Sequence, residues 1–171
     1  MRDDRLKWTP FGDAPPLLDL GGATLARVTP PRQSLISGTG IRAASTLPLI
    51  GWPDIAPAAP YRLSLRRDRV VEVGGPPVSE GWDETANQAR SDITDAYTIL
   101  DLSGSRALDI LKRGTEISLD TLSASVARRL FGLDVWLYRH SNDDNYRLHV
   151  VHALAEPLIG NLKAAAALSA G

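Results

Sequence analysis

The sequence predicts an α+β fold in which antiparallel sheets carry helices on one side. Residues 61–66 and 146–150 alternate apolar and polar side chains, which is the period of a half-buried strand. Residues 107–111 place their apolar side chains on one face of a helix. Turn residues separate neighbouring strand patterns, so we expect local hairpins, and local hairpins build antiparallel sheets.

Composition and charge narrow the range of functions. The chain has 171 residues, a formal net charge of −1 and no cysteine. Nucleic acids and membrane surfaces attract basic proteins, so neither is expected as a partner. The absence of cysteine excludes disulfides and thiolate chemistry and fits the cytoplasm. The N-terminus mixes charges of both signs, unlike a secretory signal, and no uncharged apolar run reaches the roughly 18 residues of a membrane helix.

We expect an extended arm over residues 1–21 and a single α+β domain over residues 22–171. Prolines interrupt any periodicity in the arm. The arm is either a loose end or, through Trp8 and Phe11, a docking element. The domain divides into halves of about 22–90 and 91–171. Each half is expected to follow, loosely, a ferredoxin-like order of strand, helix, strand, strand and helix.

Glycine and proline separate the elements predicted in the first half. One short helix stops before Pro48, and Ser79 is a suitable N-cap for a second. The predicted strands are residues 23–28, 33–37, 61–66 and 70–73, the predicted helices are residues 41–47 and 79–89, and residues 52–60 form a connector.

The second half has clearer patterns. Ser103 or Ser105 is expected to cap a helix that Gly114 ends. Pro157 is acceptable in the first turn of the last helix, where backbone N–H groups have no intrahelical partner. The other predicted elements are a strand over residues 96–102, a hairpin of residues 126–131 and 135–138 that turns near Gly132, a polar turn over residues 141–145, a strand over residues 146–150 and a helix over about 154–168.

Two segments raise the question of anion or partner binding. The Ser103-Gly104-Ser105 turn precedes a helix and could offer N–H groups to an anion. It lacks the full glycine set and the lysine of nucleotide-binding loops, so a strand-to-helix joint is the better interpretation. Arg66, Arg67 and Arg69 form a basic cluster, which is either a solvated sheet edge or a surface for an acidic partner.

The sequence does not predict a metal site. His149 and His152 would face opposite sides of a strand, so they are not expected to share an ion. His140 borders a turn, where we expect it to be solvated. Asp143 and Asp144 lack the glycine and the distal glutamate of a calcium loop, so a hairpin turn is preferred.

The aromatic residues are the best interface candidates. Tryptophan is enriched among interface anchors, and it also closes the ends of cores. Both interpretations apply to Trp8, Trp52, Trp82 and Trp136, and Phe11 lies close to the first of them. The chain therefore has the profile of a subunit rather than of a free-standing enzyme.

Residues 91–120 combine an acidic and hydroxyl lead-in, an apolar strand, a Ser-Gly turn followed by Arg-Ala, and a leucine-bearing helix. This order resembles the core signature of the gamma subunit of heterotetrameric sarcosine oxidase. The matching positions are Asp92, Ser103, Gly104, Arg106, Ala107, Leu111, Gly114, Ile117 and Leu119. Residues 133–162 resemble the family's strand, turn, strand and closing helix, with Trp136 in the place of its tryptophan. Ser105 stands where proline is usual, and Leu158 and Leu162 replace the tryptophans of the closing helix.

The resemblance implies a fold similar to part of the aminomethyltransferase folate-binding domain. It also implies that the chain is a non-catalytic gamma subunit that binds no cofactor itself and stabilises the large alpha chain. In that family the alpha chain carries the tetrahydrofolate and NAD regions, the beta chain carries FAD, FMN lies between them, and a small delta chain completes the complex. Two other hypotheses are a stand-alone folate-dependent methyl-transfer enzyme that uses Glu116 or Asp120, and a small-molecule binding module.

Overall fold

Two sheets and two α-helices form the fold of the residues that the structure describes. We describe a computed structural model of the chain over residues 17–29, 31–77 and 79–168. In chain order its elements are β1 (Leu18–Asp19), β2 (Thr24–Val28), β3 (Gln33–Gly38), β4 (Leu49–Ile50), β5 (Ile55–Ala56), β6 (Tyr61–Arg66), β7 (Arg69–Val73), β8 (Gly81–Asp83), β9 (Gln88–Asp92), β10 (Tyr97–Ser103), α1 (Ala107–Lys112), β11 (Ala127–Leu130), β12 (Leu133–His140), β13 (Asn145–Val151) and α2 (Ala155–Leu168). Neither helix in these ranges has the length and apolar character needed to cross a membrane.

The larger sheet takes strands from both ends of the described chain. Its order is β1-β2-β10-β13-β12-β11, and β5 joins it through a parallel pairing with β12. The smaller sheet has the order β4-β6-β7-β3-β9-β8. Its pairings are antiparallel except for the short one between β4 and β6. The predicted α+β class with antiparallel sheets is therefore confirmed.

The larger sheet is the middle layer of three. Along β12, Val135 and Leu137 belong to the core beneath the helices, whereas Trp136 and Tyr138 belong to the core between the sheets. This alternation follows from the strand geometry, in which successive side chains point to opposite faces. Both faces of β12 are covered, so residues 135–138 form a continuous buried run. The helices α1 and α2 pack on the face away from the smaller sheet, as predicted.

Most predicted strands and both helices of the second half are confirmed. The two-residue turn of the β11–β12 hairpin is Phe131-Gly132, with φ values of 51° and 79°. Two positive φ angles give a hairpin turn whose twist matches that of the strands, and glycine adopts this conformation without strain. Pro157 is the third residue of α2, within its first turn as expected.

The short helix predicted over residues 41–47 is wrong. The segment is a turn in which the Ala43 N–H donates to the Gly40 carbonyl and the Ala44 N–H donates to the Ile41 carbonyl. The Ser45 hydroxyl accepts a hydrogen bond from the Leu47 N–H at 3.0 Å. A segment this short gains too few helical bonds to offset nucleation, and a serine side chain offers the backbone an alternative partner.

The helix predicted over residues 79–89 is also wrong, because these residues form the β8–β9 hairpin. The Asp83 carboxylate accepts the Ala86 N–H at 3.0 Å, so it closes a turn instead of starting a helix. Asn87 has a φ of 51°, in the left-handed region that ends such a turn. The first half therefore contributes strands only, over the residues that the structure describes.

Candidate functional site

A groove of about 440 Å³ lies where the two sheets meet at the β11 side of the larger sheet. We call it the arginine groove. The smaller sheet supplies Arg66 and Arg69, at the ends of β6 and β7, and the larger sheet supplies Arg128 and Arg129 from β11. The remaining lining residues are Leu35, Leu65, Ile93, Tyr97, Ala127, Asp134, Val135 and Trp136.

Aromatic stacking shapes one side of the arginine groove. The rings of Tyr97 and Trp136 are stacked, with centroids 4.1 Å apart and planes 28° apart. Burial raises the pKa of the Tyr97 hydroxyl, and the positive charge of Arg69 acts in the opposite direction. Tyr97, Trp136 and Arg69 therefore form a contiguous surface that combines an aromatic face with a cation.

A chain of buried hydrogen bonds joins the two sheets. The His149 Nδ1 lies 2.7 Å from Gln33 Oε1, and its Nε2 lies 2.8 Å from the Tyr138 hydroxyl. The Tyr138 and Tyr61 hydroxyls are 2.7 Å apart. Gln33 and Tyr61 belong to the smaller sheet and the other two residues to the larger one, and all four are 0 % exposed. We call these four residues the sheet-joining network.

The direction of each hydrogen bond in the sheet-joining network follows from Gln33. Its carbonyl oxygen can only accept, so His149 donates through Nδ1–H. Burial, helped by the charge of Arg147, lowers the pKa of His149 to about 3, so the ring is neutral and Nε2 accepts. Tyr138 therefore donates to His149, and Tyr61 donates to Tyr138. The network is fully satisfied, which holds the sheets in one register.

A partly buried ion pair lies beside this network. Arg147 Nε and Nη2 donate to the two Asp101 carboxylate oxygens, each at 2.7 Å, in a bidentate pair. Burial by itself lowers the pKa of the Arg147 guanidinium, but the hydrogen bonds and the charge of Asp101 together outweigh it, so this pKa is raised. These charges satisfy each other, so the pair is a structural element of the larger sheet.

The structure separates the predicted interface tryptophans. Trp52 is 3 % exposed, and its Nε1–H donates to the Ser118 carbonyl at 2.7 Å. Trp136 is 9 % exposed and stacks on Tyr97. Trp82 is 61 % exposed on β8, the last strand of the smaller sheet. The Trp82 ring therefore faces solvent, whereas the other two rings contact residues of this chain. Trp8 and Phe11 lie outside the described residues.

The turn at Ser103-Gly104-Ser105 connects β10 to α1. The Gly104 N–H donates to the Asp144 carbonyl and the Arg106 N–H donates to the Gly22 carbonyl. Gly104 has a φ of 114°, and a Cβ there would lie 2.7 Å from the Gly22 oxygen. The prediction that a serine caps α1 is wrong. Arg106 is the N-cap and makes no side-chain cap bond, because the Ser103 hydroxyl bonds that of Thr24 at 2.8 Å on the neighbouring strand.

The other predicted positions are dispersed. His140 is half-buried rather than fully solvated, and burial lowers its pKa. His149 belongs to the sheet-joining network, and the His152 Nδ1 lies 3.0 Å from the Thr98 hydroxyl. Glu116 and Asp120 are exposed and do not line the arginine groove. Within the described ranges, no group of three His, Cys, Asp or Glu side chains is placed to hold a metal ion.

Two features could not be found from the sequence. Gln33 and His149 are 116 positions apart, so only the folded topology brings them together. Arg66 and Arg69 were identifiable as a basic cluster, but Arg128 and Arg129 join them because β11 lies beside the β6–β7 hairpin. A tyrosine or glutamine buried inside a strand pattern gives no local signal of its partner.

Comparison with known proteins gives a likeness of fold. The chain matches no family model and no curated protein sequence. Its structure is similar to a chain of the heterotetrameric sarcosine oxidase from Corynebacterium sp. U-96, solved in complex with pyrrole 2-carboxylate, with a TM-score of 0.64 and 16% sequence identity. The similarity covers 88% of this chain and 87% of that one.

Proposed function

We propose that this chain is a non-catalytic, gamma-type subunit of a heterotetrameric, flavin-dependent sarcosine oxidase or a related N-methyl amino acid oxidase or dehydrogenase. The observation that carries the proposal is the likeness of fold to a chain of such a complex. The two covered shares, 88% and 87%, are nearly equal, so the similar chain is about as long as this one. A match of whole chain to whole chain supports a small subunit rather than one domain of a large subunit.

The buried polar groups of the chain bond to one another, which supports a structural role for this chain. The sheet-joining network and the Arg147–Asp101 pair are satisfied within the protein. A catalytic acid, base or nucleophile needs reach to a substrate, and His149 and Tyr138 are 0 % exposed. These groups stabilise the packing of the two sheets, which gives a partner a rigid surface.

In this proposal the chain supplies contact area to the large alpha subunit. Tetrahydrofolate and NAD would bind on alpha, FAD on beta and FMN between them, and a delta chain would complete a cytoplasmic complex. Trp82 is the described aromatic side chain best placed to anchor such an interface, since it is exposed on an edge strand. Trp8 and Phe11 are further interface candidates.

Affinity purification of the full chain from its native host tests the proposal. The tagged chain should recover a larger flavoprotein, and the flavin of that complex should be reduced on addition of sarcosine or another N-methyl amino acid. The purified chain alone should neither bind flavin nor oxidise these amines. Recovery of the chain by itself, or with partners that lack flavin, would refute the assignment.

A further inference from the structure

We propose that the arginine groove binds an acidic peptide segment of a partner chain, one that places an apolar side chain between carboxylates. The inference deepens the proposed function and rests on it only for the identity of the partner. It assigns a ligand chemistry to a surface that the fold places at the junction of the two sheets.

The groove carries uncompensated positive charge. Four arginine residues line it, and the one carboxylate among the lining residues is that of Asp134. The Arg128 guanidinium lies over the Trp52 ring, 6.0 Å from its centroid, so the charge that faces the groove comes from Arg66, Arg69 and Arg129. Asp134 Oδ1 lies 3.7 Å from Arg129 Nε, and both side chains are largely exposed, so this pair is weak. The whole chain has a formal net charge of −1. The positive charge is therefore local to the groove, where it attracts anions.

One groove arginine is partly desolvated. The Nε of Arg69 is buried and has no hydrogen-bond partner among the described residues. A carboxylate from outside would supply Arg69 with an acceptor and a counter-charge, and a charge-assisted bond is stronger than a neutral one.

The groove also has an apolar and aromatic lining. Leu35, Leu65 and Ile93 line it together with the Tyr97–Trp136 stack. An aliphatic or aromatic side chain that enters here loses water on several sides. The volume of about 440 Å³ holds a few side chains, not a helix or a domain.

The placement of the arginines favours a peptide over a small anion. Arg66 and Arg69 come from one sheet and Arg129 from the other, so the arginines approach the groove from both sheets. Alternate side chains of an extended segment lie about 7 Å apart on one face. Such a segment can contact Arg66 or Arg69 on one side and Arg129 on the other while its apolar side chain enters between them.

Fluorescence anisotropy with the full chain tests the proposal. The probes are labelled peptides of sequence Glu-Glu-Phe-Glu-Glu and Gln-Gln-Phe-Gln-Gln. The acidic peptide should bind at least about tenfold more tightly, and its affinity should fall as salt is added. The double variant R66E/R129E should weaken binding of the acidic peptide by about tenfold or more.

The control variant R67E/K112E changes the total charge equally, at exposed positions that do not line the groove. It should alter binding by less than about twofold. Equal weakening by the two double variants would show general surface electrostatics and overturn the proposal. Equal binding of both peptides would also overturn the proposal. Benzoate is a small aromatic anion, and if it displaced the acidic peptide at matching concentration, the groove would not require a peptide and the proposal would be overturned. Recovery of a flavoprotein in the purification above does not depend on these results, so the two proposals fail separately.

Discussion

Removal of the Tyr138 hydroxyl should substantially weaken the contact between the sheets. This hydroxyl donates to His149 Nε2 at 2.8 Å and accepts from the Tyr61 hydroxyl at 2.7 Å. The substitution Tyr138→Phe keeps the ring and its packing and deletes both bonds. It leaves one buried acceptor on His149 and one buried donor on Tyr61 without their partners.

The expected loss follows from these two groups. A buried polar group that loses its partner costs about 1–3 kcal/mol. Arg147 lies beside Tyr61, but a guanidinium only donates, so it cannot accept the freed Tyr61 O–H. For the two groups together we therefore expect the free energy of unfolding to fall by about 2–6 kcal/mol, a large share of the roughly 5–15 kcal/mol of a typical domain. With a urea m-value of about 2 kcal/mol/M, the midpoint should fall by about 1–3 M.

Urea unfolding followed by far-UV circular dichroism measures this loss. Tyr146→Phe is the matched control, because Tyr146 is 2 % exposed but its hydroxyl has no hydrogen-bond partner among the described residues. The control should change the free energy of unfolding by less than about 0.5 kcal/mol. If both variants shift the midpoint equally, the network contributes nothing beyond ring packing and the reasoning is refuted.

Three further predictions concern acid stability, the β10–α1 joint and the exposed tryptophan. The pKa of His149 is about 3 in the folded state and 6.5 in the unfolded state. The contribution of neutral His149 to the free energy of unfolding is therefore complete above pH 6.5, and it falls by about 1.4 kcal/mol for each pH unit below that value. In urea titrations at several pH values, the free energy of unfolding should fall more steeply with acid for the unchanged protein than for His149→Gln. Parallel curves for the two proteins would contradict this prediction. Gly104→Ala should lower the thermal midpoint, because the φ of 114° and the nearby Gly22 oxygen exclude a Cβ at this position. The control Gly160→Ala, at an exposed position of α2, should raise the free energy of unfolding by about 0.5–1 kcal/mol. Equal effects of the two substitutions would argue against a strained joint. Trp82→Ala should leave the unfolding free energy within about 0.5 kcal/mol and reduce recovery of the flavoprotein, and undiminished recovery would remove Trp82 from the interface.

The strands and helices with a strong period were predictable from sequence. Residues 61–66 and 107–111 carry the 2.0 and 3.6 periods that decide local structure, and both elements form as expected. The segment 79–89 has no such period, and its capping residues fit a turn as well as a helix. Pairing of β9 with β3 decided its conformation, and that pairing is set by the chain around it.

The polar interior was beyond local prediction. His149 occupies an alternating strand pattern, in which a histidine is read as solvent-facing. The residue faces inward because the smaller sheet covers that side of β13 and supplies Gln33 as a partner. The arginine groove has the same origin, since Arg66 and Arg69 meet Arg129 only after the sheets pack.

The direct test of the central claim is a comparison of the oxidase complex produced with and without this chain. The account holds that the chain supplies contacts and no chemistry. Without it, the yield of soluble alpha subunit should fall, while the flavin in the remaining complex should be reduced by its amine substrate at an unchanged rate per flavin. Full assembly with a loss of flavin reduction, or turnover by the isolated chain, would contradict the account.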